Sequence, residues 1–152
     1  EWVFQKYLMQ DREVADATLF EWHGKWWMFA NMREIKGASR WDELHLFYAD
    51  SPLSSDWIPP PRNPIVSDVK SARPAGRIFV RDGRIFRPSQ NSAHHYGYGF
   101  NFCEIIRLSE TEYEETVVAR VGPNWSEDLI STHTFNYAEG LTVIDAQIHR
   151  RR

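Results

Sequence analysis

The sequence predicts an all-β protein made of repeated four-stranded units. Three observations carry that prediction. Its 152 residues are 14% aromatic, and the aromatics cluster with β-branched residues in short runs, as a pleated, half-buried surface requires. Turn glycines recur at 24, 83 and 140, separations of 59 and 57 residues. No stretch acquires an apolar helical face. The best candidate, residues 109–113, starts like a capping box and stops there.

Taken in order, residues 2–9 (Trp2, Val3, Phe4, Tyr7, Leu8) read as an outer strand left over from a preceding unit. Residues 16–29 read as two strands around His23-Gly24, and residues 75–86 as the same layout around Asp82-Gly83, a strong hairpin signal. Residues 133–145 form a looser third copy around Gly140. Phe20 and Phe79 each precede their glycine by four residues, and Phe135 precedes Gly140 by five. Each of the first two hairpins continues into further strands, over residues 43–49 and around Trp57-Ile58 in one, and over 100–107 and 115–121 in the other. Proline- and serine-rich connectors at 51–56 and 59–64 separate them. Four-stranded units repeated at this spacing are the pattern of β-propeller blades. The chain then divides into 1–15 (end of a blade), 16–70 and 71–128 (one blade each) and 129–152 (start of another). It ends in the charged run His149-Arg-Arg-Arg152, which has no assigned task.

Composition excludes several functions. A net charge of −3 offers no basic surplus for nucleic acid. A single cysteine, Cys103, rules out an internal disulfide framework and a multi-cysteine zinc site, and it reads as a small buried hydrophobe. No apolar run reaches the roughly 20 residues that span a bilayer. No cofactor or metal is expected, and the compartment stays open.

More specific stretches are Ser71-Ala-Arg-Pro-Ala-Gly-Arg-Ile-Phe79, Arg87-Pro-Ser-Gln90, Tyr96-Gly-Tyr-Gly-Phe-Asn101 and Thr132-His-Thr-Phe-Asn136. With residues 16–20, 24–29, 39–48 and 140–145, the sequence there resembles the five-bladed propellers of the arabinanase/levansucrase/invertase superfamily. In particular it resembles the propeller domain at the N-terminus of plant glucosamine inositolphosphorylceramide transferases and related bacterial proteins. The likeness runs over roughly residues 14–146. It implies a partial five-bladed propeller and a biology of carbohydrates or glycoconjugates.

Aligning Phe20, Phe79 and Phe135 makes Thr18, Arg77 and His133 equivalent inner-strand positions, and Asp16, Ala75 and Ser131 equivalent two residues earlier. Asp16 is the one carboxylate among them. Glycoside hydrolysis needs two carboxyl groups, about 5 Å or roughly 6.5–9.5 Å apart, so a hydrolase would pair Asp16 with another acid such as Glu43. Where the hydrolases implied by the resemblance present a glutamate, this chain has Arg73, which cannot donate a proton at neutral pH but forks well onto an anion. The alternative is a structural ion pair from Arg73 or Arg77 to Asp16. His133 is a candidate base or sugar ligand, and Arg40 and Glu43 flank Trp41 near the same mouth. Trp41, Tyr96 and Tyr98 are the candidates for stacking on a sugar. The adjacent His94 and His95 read as loop residues.

The expected function is a carbohydrate- or glycoconjugate-binding module whose Asp16, Arg40, Trp41, Arg73, Arg77, Tyr96, Tyr98 and His133 suit an anionic sugar or head group. A hydrolase using Asp16 and Glu43, and a non-catalytic scaffold, stay open. At ~58 residues per blade a five-bladed ring takes about 290, so 152 residues make two and a half blades. The expected partners are therefore a sugar ligand and either a second copy, forming a homodimer, or the rest of a longer chain.

Overall fold

The computed structural model describes residues 1–35, 37 and 39–149; Arg150–Arg152 of the charged tail lie outside the described residues. Among those residues the protein is all-β, with no helix and no closed barrel, in several antiparallel sheets that make a partial propeller-like fold. The first sheet is a four-stranded meander of β1 (Glu13–Trp22), β2 (Lys25–Arg33), β3 (Glu43–Ala49) and β4 (Val66–Ser67). The second repeats that order with β5 (Phe79–Arg81), β6 (Arg84–Asn91), β7 (Gly99–Leu108) and β8 (Tyr113–Val121). Two small sheets follow: β10 (Phe135–Ala138) with β11 (Leu141–Ile144), and β9 (Leu129–Ser131) with β12 (Gln147–Ile148).

The repeat has a backbone basis. His23-Gly24, Asp82-Gly83 and Glu139-Gly140 all have positive φ at both residues, between 47° and 84°. Each closes a two-residue hairpin with the twist that antiparallel strands need. A Cβ at any of the three glycines would meet nothing within 4 Å, so φ alone selects glycine there.

Alternation along the strands distributes the core. Trp27, Phe29, Leu44 and Leu46 of the first sheet pack against Ile85 and Ile105 of the second, with Ala72 and Ile78 between them. The opposite face of the first sheet presents Met28, Ala30, Met32 and Ala49 to Trp57, Leu8 and Met9. Buried on both faces, β2 reads as an almost unbroken apolar run. The far face of the second sheet meets the β10–β11 hairpin through Phe79, Phe86, Phe102 and Phe135, with ring centroids 4.7–6.0 Å apart.

Two expectations change. Residues 2–9 form no strand, because no partner ladder lies beside them; Leu8 and Met9 contribute side chains to the core while Trp2, Phe4 and Tyr7 are exposed. Trp57-Ile58 is not the fourth strand. Ile58 exchanges two backbone hydrogen bonds of 2.9 Å with Tyr48 as an isolated bridge, and the ladder resumes at β4.

A buried polar stripe fixes the connector between the two large sheets. Arg87, 1% exposed, donates to both oxygens of Glu115 (2.8 and 2.6 Å) and to the carbonyls of Ser71 (2.8 Å) and Ala72 (3.4 Å). Asn101 donates to the carbonyl of Lys70 at 2.7 Å. Tyr113 donates its hydroxyl to Glu115 at 2.5 Å. Burial alone would lower the pKa of Arg87; the charge of Glu115 outweighs it and holds the guanidinium above its usual value. The chain therefore reaches Arg73 on a rigid support.

Candidate functional site

Residues 16–18 of β1, residues 74–76 ahead of β5 and residues 133–136 at the start of β10 converge. Residues 73–75 run beside β6, with the Ala75 amide donating to Pro88 O (3.0 Å) and the Gln90 amide to Arg73 O (2.7 Å). The Phe135 amide donates to Ala75 O at 2.8 Å, which brings the third hairpin alongside. The result is a cleft of about 260 Å³ lined by residues 16–18, 74–76, Gln90, Tyr96, His133, Thr134 and Asn136.

Asp16 enters this cleft from a bulge. The β1–β2 register shifts between Ala15 and Thr18, and Asp16 sits there at φ 53°. Aspartate tolerates this left-handed backbone better than most residues, and a bulge re-aims the side chain it carries. Its carboxylate accepts from Arg73 Nε at 2.5 Å and from Gln90 Nε2 at 3.2 Å. The Arg73 guanidinium lies over the Tyr96 ring, 4.9 Å from its centroid, and Tyr96 in turn contacts Trp41 (5.6 Å) and His133 (5.5 Å). Five of the residues predicted from sequence thus form one contiguous cluster: Asp16, Arg73, Tyr96, Trp41 and His133.

His133 is held by a residue that sequence reading missed. Asp145 accepts the amides of His133 (2.8 Å) and Thr134 (2.7 Å) and the Thr134 hydroxyl (3.0 Å), and its other oxygen contacts His133 Nδ1. Those captured amides cannot join a ladder, so His133 precedes β10 instead of lying within an inner strand. Burial pushes the Asp145 carboxyl up, but the amide and hydroxyl hydrogen bonds outweigh it and leave its pKa below the usual aspartate range. Beneath the imidazole lies Gly97, where a Cβ would come within 3.1 Å of the His133 ring. The spacing of Tyr96-Gly97 from His133 carried no signal of that contact.

Gln90 is the second missed residue. It is 3% exposed, and its Nε2 donates to Asp16 Oδ2 and to Pro74 O (2.9 Å). Both partners only accept, which fixes the amide orientation. Its Oε1 then has no hydrogen-bond partner.

The other predicted residues sit elsewhere. Arg77 is exposed; its amide donates to Asn136 Oδ1 at 3.0 Å while its side chain lines a neighbouring depression with Phe20 and Tyr137. Arg40 lies 3.7 Å from Glu13, in a depression shared with Arg33 and Ala15. Tyr98 packs on His94 and His95 at 4.4 and 5.5 Å. Glu43 opens β3 opposite Ser67 and does not line the cleft. Among the described residues no cluster of three or more His, Cys, Asp or Glu is arranged to hold a metal.

Residues 1–133 match the family described as glucosamine inositolphosphorylceramide transferase 1, N-terminal. Relatives named glucosamine inositolphosphorylceramide transferase 1 include one from Oryza sativa subsp. japonica, 35% identical over 120 residues, and one from Arabidopsis thaliana, 31% identical over 119. These alignments cover 78% and 77% of this chain but 16% and 15% of the relatives, so the chain spans about a sixth of their length. No solved structure matches it.

Proposed function

Because the chain belongs to the family of glucosamine inositolphosphorylceramide transferase N-terminal domains, we propose that it is a carbohydrate- or glycoconjugate-binding module whose ligand occupies the Asp16–Tyr96–His133 cleft. The observation that carries this reading is Gln90 Oε1, a buried acceptor without a partner beside that cleft. With the side chain as it stands this oxygen has no accessible surface; a ligand hydroxyl that turns the Gln90 amide into the cleft satisfies an atom that otherwise costs about 1–3 kcal/mol. Tyr96, part exposed, lines the same cleft, and part-exposed Trp41 packs against it.

Arg73 is already neutralised by Asp16, so hydroxyl recognition fits the cleft better than strong anion capture. An anionic sugar or head group would have to draw Arg73 away from Asp16. Asp16 is the only acid among the lining residues, which supports binding over two-carboxylate hydrolysis. We further propose that either a second copy or the rest of a longer chain packs on the last strands. These strands leave Leu141, Val143, Ile144 and Ile148 exposed, and either partner would cover them.

Calorimetric titration of methyl glycosides, inositol and their phosphates tests the ligand reading. Gln90→Leu should weaken the best ligand at least about tenfold, or roughly 1.4 kcal/mol. Unchanged affinity in that variant would refute the site. Hydrolysis of aryl glycosides by the native protein but not by Asp16→Asn would refute the binding-only reading. Native mass in solution tests self-association, and a monomer at all concentrations counts against it.

A further inference from the structure

The contact between the second and third repeats is unfilled where that between the first and second is complete. Between the two large sheets, Trp27 and Phe29 pack against Ile85 of β6 and Ile105 of β7, which stand opposite each other in their ladder. Trp27 lies three residues after its hairpin glycine, and Ile85 two after its own. One repeat further on, Phe86 takes the place of Trp27 and Thr142 that of Ile85. Both line an apolar depression of about 680 Å³, together with Phe79, Phe102, Val118 and Phe135. The counterpart of Ile105 would sit on a third strand opposite Thr142. Among the described residues no such strand exists, because β11 ends a two-stranded sheet.

The far edge of β11 is therefore open. The Phe135 amide points out of the hairpin, to Ala75 O, so Phe135 and Ile144 face each other without bonding, as do Tyr137 and Thr142 two residues on. The N–H and C=O of Thr142 and Ile144 then point away from β10, onto the open edge. The equivalent strands β2 and β6 are paired on both edges.

The chain also carries a strand-like segment with no ladder. Trp2, Val3 and Phe4 are 69–103% exposed, while Lys6 donates to Ser55 at 2.6 Å and Leu8 and Met9 sit on the outer face of the first sheet. The hairpin of its own chain is out of reach. Stacked layers lie about 10 Å apart, so crossing both large sheets takes about 30 Å, whereas residues 2–7 extend at most about 22 Å. On the reading that a partner packs on the last strands, we propose that the partner is a second copy whose residues 2–5 add to β11 as an antiparallel third strand. Phe4 then stands opposite Thr142 and exchanges its ring contact with Tyr7 for the depression beside Phe86 and Phe102. The four residues match the four of β11, and Val3 meets Val143 and Trp2 meets Ile144 as apolar cross-strand pairs. The exchange is reciprocal, so each pair of copies makes two such junctions.

Sedimentation equilibrium and amide hydrogen exchange of the whole chain, at rising concentration, test this. A dimer should form, and exchange at Thr142 and Ile144 should slow at least about tenfold with it, while the Asp82-Gly83 turn is unaffected. Phe4→Asp and Thr142→Pro should keep the thermal transition of the monomer, since Phe4 is exposed there and the Thr142 N–H serves no bond of the hairpin. Neither variant should dimerise by itself. An equimolar mixture of the two should associate, because Thr142→Pro still offers residues 2–5 to the open edge of Phe4→Asp. Should Thr142→Pro not fold, a synthetic peptide of residues 1–9 replaces it and should slow Thr142 exchange in Phe4→Asp. A monomer at every concentration overturns the second copy as the occupant and leaves a longer chain to cover the strands. A dimer that survives Phe4→Asp, or whose Thr142 and Ile144 amides exchange as fast as in the monomer, overturns strand addition and leaves self-association through another surface.

Discussion

Replacing Arg87 by Met removes the guanidinium from a site where it is 1% exposed and makes bonds to Glu115 and two backbone carbonyls. The methylene stem is kept, so the change isolates the charge. Glu115, whose side chain is 8% exposed, would then be a buried carboxylate bonded only to Tyr113, and Ser71 O and Ala72 O would lose their donor. Breaking one side of a buried pair costs about 3–5 kcal/mol. In a domain of this size each kcal/mol moves Tm by roughly 2–4 °C, which gives a fall of roughly 6–20 °C. The companion variant Arg87→Met/Glu115→Leu removes both charges and should recover most of that loss. Urea and thermal unfolding of the two singles and the double close the cycle. A second readout follows from position, since Arg87 anchors the two residues before Arg73: the folded Arg87→Met protein should bind cleft ligands more weakly. A loss under about 1 kcal/mol, the range of an exposed pair, would refute the reasoning. So would a double variant as unstable as the sum of the singles.

Asp145→Asn should lose about 1–2 kcal/mol at neutral pH by weakening three hydrogen bonds to residues 133–134. The Asp145 pKa is lowered on folding, so its contribution is complete above the unfolded value near 4 and disappears as pH falls through the folded value. The stability gap between native protein and variant should therefore be flat above about pH 5 and close in acid, as denaturant midpoints against pH would record. Gly76→Ala places a Cβ 1.9 Å from Phe135 O and should cost about 3 kcal/mol or more. Gly24→Ala meets open space and should cost only about 1–2 kcal/mol from its positive φ; equal losses in thermal melts would contradict this. Gly97→Ala combines a φ of 70° with a Cβ 3.1 Å from the His133 ring, so it should lower Tm at least as much as Gly24→Ala and weaken cleft ligands where Gly24→Ala does not, as paired titration and melting would reveal.

The three hairpins were legible because their information is local: an aromatic run, a residue that tolerates positive φ and a glycine specify a two-residue turn wherever they occur. The same locality made Asp16 and His133 nameable from repeat alignment, Arg73 from its place before Pro74-Ala75-Gly76, and Trp41 and Tyr96 from their polar or glycine neighbours in loop-like sequence. Residues 2–9 misled because strand-like composition needs a partner edge, and none lies beside them in the described structure. Asp145 and Gln90 stayed hidden because their roles depend on contacts 11 to 74 residues away in the chain, with no periodic trace.

The sequence by itself determined that the protein is all-β and repeated, because pleat and turn geometry are written at short range. Only the tertiary structure decided that Asp16 and Arg73 neutralise each other, that Arg77, Arg40, Tyr98 and Glu43 lie outside the cleft, and that Gln90, His45 and Trp57 are buried with polar atoms unsatisfied. Hydrogen-bond satisfaction is a property of packed neighbours, and no chain spacing records it.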